Sequence, residues 1–456
     1  HQDNKALVFH QDPEKSAASI ARFSSADADR FSSMYAEFKN LSEEILIPAL
    51  YMDDGDRGVA ANLGSTDLGR RLEEISQQSP IQIIDSYGFE SAPVREALLY
   101  LATFWGLDPE ETGVGQVVPL WVYRLLNSTI PVAGNLAIAR ALYQSFLQSG
   151  GDYPGLARVE RILIEGGKAV GVQLKDGRKI HAKAVISTLN VEETFIDLVG
   201  EKRLPEDTET SSLDWEWEVG SLLSCHYGYI GEAPQYRSAE FDPDANEAYI
   251  NIFGIENAGD VERVYQNVSV GTVPTGHGRA VCLTQFDPYH AGFNHVHGPL
   301  QTLRFEIPAP GWLFRSEWHA VRDSYLQSSL ETWRRYATGV VDGTLSYGGV
   351  LTPYDVELRL PSFKNGSFKG GIYTVDRIGY KGNRPACMNY RSEIPGLYMG
   401  GAATSPGGLI NFASGYNAAG VVARDLNLKT WWQEPEFVKE AKAKGYLSSA
   451  GKSSTA

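Results

Sequence analysis

The residues best suited to chemistry lie in a glycine-rich segment near the C-terminal end of the 456-residue chain. Glycine pairs at Gly400-Gly401 and Gly407-Gly408 precede a predicted helix that begins near Ala413 and is kept thin by further Gly and Ala residues. Glycine lets a backbone approach a ligand closely, and the N–H groups that start a helix lack helical partners. Together with the helix dipole, these donors predict a binding site for a flat group that carries negative charge.

A second candidate is a histidine-rich run that contains Asp287, Tyr289, His290, His295 and His297. His290 and Tyr289 are candidates for general acid or base catalysis, because these side chains can exchange a proton with a substrate. Two other interpretations stay open: a polar loop, or a metal site in which His290 or Asp287 joins the other two histidines. We predict no metal, since loop histidines without further His or Cys nearby seldom bind one tightly.

The elements around the glycine segment follow from apolar patterns. Residues 397–399 predict a short strand, and residues 136–148 predict a helix. Apolar residues alternate over 170–174 and again at 180 and 182, with glycine-containing turns between the runs. This pattern predicts a β-meander that leads into a buried strand at residues 184–187.

The remainder of the chain divides into a helical part and a β-rich part. Residues 17–126 predict helices, with Phe31, Tyr35 and Phe38 on one helix face. From residue 215 to 287, β-branched and aromatic residues predict a sheet that floors a substrate cavity. The predicted elements there and beyond are strands at 227–230, 249–253 and 279–286, a helix at 320–336, and a charged, solvated helix at 434–444.

The glycine segment resembles the C-terminal flavin-binding segment of the phytoene desaturase-related FAD-dependent oxidoreductases. This family includes carotenoid desaturases and the pyridine nucleotide-disulphide oxidoreductase domain-containing proteins. Its segment reads Leu-Tyr-x-x-Gly, then His-Pro-Gly-Gly-Gly-Val-x-Gly-x-x-Gly-x-Asn-Ala-Ala. The residues that match the second pattern are Pro406, Gly407, Gly408, Gly415, Asn417, Ala418 and Ala419. Ser405, Leu409 and Phe412 replace the family's His, Gly and Gly where the backbone passes the isoalloxazine ring.

The resemblance implies an α/β fold with two dinucleotide-binding domains, in which an FAD domain is interleaved with an α+β substrate domain of mixed sheet and helices. It also implies FAD as the cofactor. The implied FAD-binding residues are Val159 near the adenine, Gly400, Gly401, Gly407, Gly408, Leu409 and Ile410 through their backbone, and Asn417 by its place in the motif.

The sequence lacks one part of the family pattern. A complete member opens with a strand, a Gly-x-Gly-x-x-Gly turn and a helix that together bind the pyrophosphate, and no such fingerprint occurs in these residues. The N-terminal Rossmann half is therefore expected to be absent from this chain. Three explanations stay open: a partner chain supplies that half in a heteromer, the half has been lost from this polypeptide, or the chain has given up FAD.

The resemblance also suggests domain boundaries. The expected parts are a helical portion of the substrate domain at residues 1–126, an FAD-domain segment with the meander at 127–195, the substrate-domain sheet and helices at 196–369, the C-terminal FAD-binding segment at 370–430, and a C-terminal helix and tail at 431–456.

Composition narrows the class of protein. The formal net charge of −15 and the pI near 5.1 argue against nucleic-acid binding, which requires a basic face. Three scattered cysteines argue against a disulphide framework and favour a reducing compartment. No apolar run is long enough to span a bilayer, so we expect a cytoplasmic protein, with peripheral membrane contact left open.

The function expected from these observations is an FAD-dependent oxidoreductase, or its large subunit. Such an enzyme dehydrogenates or desaturates an apolar or aromatic small molecule by hydride transfer to flavin N5. Two alternatives stay open. One is a redox-neutral flavin-dependent isomerase, and the other is a flavin-free binding or scaffold subunit that needs a partner chain.

Overall fold

The computed structural model describes residues 3–52, 63–200, 204, 214–287, 300–339, 344–375, 390–408 and 412–448. Helices and sheets are mixed along this part of the chain, which confirms the α/β class. The His290 and Tyr289 candidates lie outside the described residues, as do Leu409 and Ile410.

The N-terminal part is helical, as predicted. Its helices are α1 Pro13–Ala21, α2 Ser25–Leu41, α3 Ile47–Leu50, α4 Asp67–Ser76, α5 Pro80–Ser86, α6 Ala92–Thr103 and α7 Val118–Leu126, with a π-helical turn at Ser42–Leu46 before α3. Helix α2 begins where the Ser24 side chain accepts a hydrogen bond from the Asp27 N–H. Apolar residues at helical spacing, including Phe31 and Phe38, are buried in one helical core.

Helix α8, Leu136–Gln148, has the predicted bounds but an unexpected environment. None of its residues is buried. Five large apolar side chains are exposed along it, and we call them the α8 surface: Leu136, Leu142, Tyr143, Phe146 and Leu147. The single charged residue of the helix is Arg140. An apolar helix with so little charge is typical of a protein interior, so this surface fits a covering partner.

The predicted β-meander is present. Strands β1 Val159–Glu165, β2 Lys168–Leu174 and β3 Lys179–His181 form an antiparallel sheet. Strand β4, Val185–Ser187, pairs in parallel with β12, Leu397–Met399. The expectation that β4 is buried is wrong in part, because Ile186 is 46% exposed. Parallel strands are normally covered on both faces, and among the described residues no layer covers Ile186 fully.

A five-stranded antiparallel sheet forms the centre of the β-rich part. The strands of this part are β5 Gly220–Ile230, β6 Gln235–Tyr236, β7 Asn251–Phe253, β8 Gly278–Cys282, β9 Leu300–Pro310, β10 Ala337–Thr338 and β11 Thr344–Leu351. The strand order in the five-stranded sheet is β11–β5–β9–β8–β7. The accompanying helices are α9 Asp260–Ser269, α10 Leu283–Phe286, α11 Arg315–Tyr336 and α12 Pro353–Arg359, with a π helix at Glu192–Gly200 earlier in the chain.

One predicted strand is too long. Residues 279–286 were expected to be extended, but Leu283–Phe286 form the helical turn α10. The reason is that Thr284 leaves the ladder: its hydroxyl accepts a hydrogen bond from the Thr302 N–H at 3.2 Å. The side chain thus takes the place of a backbone acceptor, and the strand ends at Cys282.

The C-terminal helices are α13, Ala413–Asp425, and α14, Glu436–Ala443. Helix α14 falls within the charged residues expected to be solvated, but Val438 and Ala441 are buried in the helical core. Their three-residue spacing places both on one face, which the charge count alone had hidden. No helix in the described ranges is both long and apolar enough to cross a membrane.

Candidate active site beside the glycine-rich segment

The glycine segment follows β12 as predicted. The chain leaves the buried strand at Met399, bends through Gly401 and Gly407, and enters α13 beyond Phe412. Gly401 and Gly407 have φ values of +74° and +100°, a backbone region that disfavours other residues. The sequence therefore places glycine where the bend requires it.

The amides of this segment are engaged more than the sequence suggested. The N–H of Gly400 donates to Ser187 O at 2.8 Å, that of Gly407 to Thr404 O at 2.6 Å, and that of Gly408 to Lys369 O at 3.2 Å. These three donors are used within the chain, because the hydrogen bonds to β4 extend one residue past β12, a turn closes at Gly407, and Gly408 packs against Lys369. Their role in flavin binding remains a prediction.

Gly408 lies close to another backbone. A Cβ atom there would be 2.5 Å from the Cα of Lys369 and 2.7 Å from Phe368 O. The glycine at this position is thus required by the protein's own packing. By contrast, a Cβ at Gly400 would meet its neighbours at 3.7 Å, an ordinary contact distance.

The start of α13 offers open space. Phe412, which stands where the family pattern has glycine, has a left-handed φ of 59° and an exposed ring. A Cβ on Gly415 in the first turn would have no atom of the described residues within 4 Å. Because first-turn N–H groups have no helical acceptor, this end of α13 can receive an anionic edge of a ligand.

Asn417 connects this helix to two other parts of the chain. Its side-chain N–H group donates to Leu50 O at 2.9 Å and to the Tyr390 hydroxyl at 2.8 Å. Its buried Oδ1 has no hydrogen-bond partner among the described residues. Asn417 therefore holds the helix start in place with its amide group. Val159, the predicted adenine neighbour, begins β1 opposite Leu174, and adenine binding there stays a prediction.

An aromatic cavity of about 150 Å³ is lined by residues of α6, α9 and β5, and two of its wall residues, Phe368 and Tyr373, approach the glycine segment. Its aromatic walls are formed by Tyr100, Phe104, Trp105, Tyr265, Phe368 and Tyr373. Tyr373 also approaches Gly407: a Cβ on that glycine would lie 3.3 Å from the Tyr373 hydroxyl. The volume of this cavity matches the space taken by one six-membered ring. The arrangement fits a small apolar molecule beside the glycine segment.

Among the described residues, four charged side chains line this cavity: Asp108, Glu111, Glu218 and Arg279. Arg279 makes an ion pair with Glu306 at 2.8 Å, and its guanidinium lies 4.2 Å from the centre of the Phe104 ring. Burial alone would raise the pKa of Glu306, but the charges of Arg279 and Arg304 outweigh it and hold the pKa below its ordinary value.

Lys369 stands behind the cavity wall. Its side chain is 1% exposed, and its Nζ lies 4.0 Å from Glu218 Oε1. Burial lowers the pKa of Lys369, and the negative charge of Glu218 opposes that shift. Sequence analysis missed Glu218, Arg279 and Lys369, because each comes from a separate segment. The one local signal was a lysine between Phe368 and the Gly370-Gly371 pair.

Comparison with known proteins gives the family. No protein-family profile matches the chain. It is 34% identical to a limonene dehydrogenase subunit of Castellaniella defragrans over 455 residues, which cover 98% of this chain and 82% of that protein. It is 22% identical to the lycopene-forming phytoene desaturase of Pantoea ananas over 442 residues, 93% of this chain and 81% of the desaturase.

A third relative is the mouse pyridine nucleotide-disulfide oxidoreductase domain-containing protein 2. It is 25% identical over 379 residues, which cover 79% of this chain and 63% of the mouse protein. The chain belongs to the phytoene desaturase-related family of FAD-dependent oxidoreductases. The resemblance found in the glycine segment is thereby confirmed, and the chain is an oxidoreductase of this family.

Proposed function

We propose that the chain is the large subunit of an FAD-dependent dehydrogenase that acts on a small cyclic hydrocarbon. The observation that carries the proposal is the ring-sized aromatic cavity whose wall residues Phe368 and Tyr373 approach Gly408 and Gly407 of the glycine segment. The name of the 34% identical relative, a limonene dehydrogenase subunit, supports both the reaction and the substrate class. Aromatic walls favour an apolar substrate, because such a substrate brings no polar group that would need a hydrogen-bond partner inside the cavity.

The start of α13 fits the isoalloxazine end of FAD. Gly415 leaves room for a flat group, and the first-turn amides with the helix dipole suit its negatively charged pyrimidine edge. Gly401, Gly407 and Asn417 would shape the adjoining backbone. When bound, the flavin supplies an acceptor for hydride. The residues of this chain contribute by placing the substrate ring in the aromatic cavity and by holding charge beside it.

We further propose the interleaved domain arrangement of the family for this chain. The FAD domain comprises residues 127–195 and 370–430, and the substrate domain comprises residues 1–126 and 196–369. One buried cluster supports this arrangement, because it joins Ile162 and Ala169 of the meander to Leu397 and Met399 of β12. Residues far apart in the sequence thus share one core beneath the glycine segment.

The third part of the proposal is a partner polypeptide that carries the Gly-x-Gly-x-x-Gly half and covers the α8 surface. The exposed apolar side chains of α8 and the exposed Ile186 of β4 support this choice. A strand–turn–helix unit provides an apolar layer that can cover both. The word "subunit" in the name of the limonene dehydrogenase relative is consistent with such a heteromer.

A visible absorbance spectrum tests the proposal most directly. We expect the chain purified with its partner polypeptide to show flavin bands, which a cyclic monoterpene bleaches under anaerobic conditions. Turnover without any electron acceptor would instead indicate the redox-neutral isomerase. A complex that folds, contains both chains and never retains flavin would identify a scaffold subunit and refute the proposed activity.

Two substitutions on one face of α13 test the flavin site. Gly415→Leu fills the open space at the helix start, so we expect the complex to fold normally and to lose flavin. Ala419→Leu lies one turn later on the same exposed face and serves as the control, with flavin retained. A larger residue at Gly408 would not answer the question, because its clash with Lys369 would disturb folding. Full flavin occupancy in Gly415→Leu would refute this assignment.

A further inference from the structure

Glu218 is the most deeply buried of the three carboxylates, Asp108, Glu111 and Glu218, that line the cavity among the described residues. It lines the cavity just before β5 begins, and it is 3% exposed. Burying a carboxylate is unfavourable unless opposite charge and hydrogen bonds compensate, so such a residue calls for a reason. The aromatic side chains around it cannot provide that compensation by themselves.

Lys369 provides the opposite charge and holds its position through several contacts. Besides lying 4.0 Å from Glu218, its Nζ donates to Gly106 O at 3.2 Å and lies 4.8 Å from the centre of the Tyr373 ring. The next residue is fixed as well, because the Trp215 indole N–H donates to Gly370 O at 3.1 Å. The ammonium group therefore has little freedom to move away from Glu218.

Lys369 also connects Glu218 to the glycine segment. Its backbone oxygen accepts the hydrogen bond of the Gly408 N–H at 3.2 Å. One residue thus contacts the carboxylate with its side chain and the proposed flavin segment with its backbone. The second cation of the cavity, Arg279, is paired with Glu306. Lys369, with its Nζ 4.0 Å from Glu218 Oε1, is a cation next to Glu218 in this wall.

We propose that Glu218 is the general base of the dehydrogenation and that Lys369 is its positioning residue, an inference that rests on the proposed function. One substrate C–H bond would break with its electron pair, and an oxidised flavin, when bound, would supply the acceptor for that hydride. The adjacent C–H bond then breaks, its electron pair forms the C=C bond, and its proton goes to the Glu218 carboxylate. Two electrons and one proton leave with the hydride, and the second proton remains on Glu218.

The cavity suits the charge that this reaction develops. Loss of hydride leaves positive charge on the substrate carbon, and aromatic faces attract cations within about 6 Å of the ring centre. Glu218 adds a negative charge on the same wall. The proposal therefore predicts that the cavity prefers a cation of the substrate's shape to the neutral hydrocarbon.

A binding experiment without flavin tests this preference. The probes are N,N-dimethylcyclohexylammonium and its neutral isostere isopropylcyclohexane, with affinity measured by calorimetry on the full chain. We expect the ammonium ion to bind at least about tenfold more tightly than the hydrocarbon. Glu218→Gln should remove that preference while hydrocarbon binding changes less than about threefold. Glu111→Gln, at a partly exposed carboxylate of the same cavity, is the control; because solvent screens that charge, it should weaken ammonium binding by less than about threefold and leave hydrocarbon binding unchanged.

Equal affinities for the two probes, or a preference that survives in Glu218→Gln, would overturn the proposal. If the single variant does not fold, Glu218→Gln combined with Lys369→Met removes both buried charges and should show the same loss of preference. This experiment does not depend on flavin. Failure of the complex to bind flavin would therefore refute the proposed function without deciding the role of Glu218.

The pH profile of the flavin-loaded complex tests the two roles separately. We expect Glu218→Gln to abolish the acid limb of kcat/KM and to slow the reaction by at least about a hundredfold. Lys369→Met should shift that acid limb to a different pH. Lys369→Arg should leave the limb at the pH found for the unsubstituted enzyme, because a positioning residue acts through its charge. An acid limb that is unchanged in Glu218→Gln would show that another group accepts the proton.

Discussion

Helices α6 and α8 have similar apolar sequences and opposite environments. In α6, Val94, Leu98 and Leu99 are fully buried, and the helix contacts α5, α7 and α9. In α8, Leu142 is 54% exposed and Phe146 is 47% exposed. Both helices were predicted from local pattern, and both are present. The comparison teaches that an apolar pattern specifies a helix, while the burial of its face depends on which segments come to cover it.

The largest expected effect is a direct test of this contrast. Leu99→Ala in α6 should lower the free energy of unfolding by about 2–5 kcal/mol, because it leaves a cavity in a packed core. Leu142→Ala in α8 should change it by less than about 0.5 kcal/mol, because solvent already reaches that side chain. Denaturant unfolding of the isolated chain measures both. Equal losses for the two variants would mean that α8 is packed in solution.

The second prediction tests whether the α8 surface forms part of the interface with the proposed partner polypeptide. In the proposed complex with a dinucleotide-binding polypeptide, Leu142→Asp should weaken association by about 2 kcal/mol or more, because it buries a charge at an apolar interface. Leu358→Asp changes a leucine that is exposed elsewhere on the chain and should leave association unchanged. Titration of the two purified polypeptides gives the dissociation constants. Identical constants for both variants would remove α8 from the interface.

The contrast between buried and exposed groups extends to histidine. Burial lowers the pKa of His277 to about 4, against opposing contributions from the Thr275 backbone and Asp260. At a pH below 6.5, the ordinary pKa of histidine, His277 takes up a proton in the unfolded chain but not in the folded chain. The free energy of unfolding therefore falls as the pH decreases toward 4. The expected loss is about 3 kcal/mol.

His277→Gln should flatten the stability profile between pH 6.5 and pH 4, relative to the unsubstituted chain. His181→Gln alters an exposed histidine and provides the comparison. Thermal unfolding at a series of pH values gives both profiles. A decline that is equally steep in His277→Gln would assign the acid sensitivity to other groups, such as Glu306.

The smallest expected effect is at Phe412. Its left-handed backbone is strained for a residue with a Cβ, and glycine removes that strain but makes the unfolded chain more flexible. Phe412→Gly should therefore stabilise the isolated chain by less than about 1 kcal/mol. Denaturant unfolding detects the sign. A clear loss of stability would show that the exposed ring makes contacts that outweigh the strain.

The candidate site was predictable only in its local part. The strand at Leu397–Met399, the glycine bend and the thin helix followed from spacing and glycine content, and the structure contains all three. The engaged amides of Gly400, Gly407 and Gly408 were not predictable, because their acceptors are not fixed by any local pattern. The same holds for Glu218 and Lys369, which lie 151 positions apart in the numbering and meet only in the folded chain.

The sequence by itself determined the local elements: the bounds of α8, the hairpins of the meander and the glycine positions where the backbone turns left-handed. These depend on propensity, turn chemistry and periodicity, which act between neighbouring residues. The tertiary structure alone decided which apolar faces are buried and which charges meet in the aromatic cavity. Burial and ion pairing are set by contacts between distant segments, so no local pattern contains them.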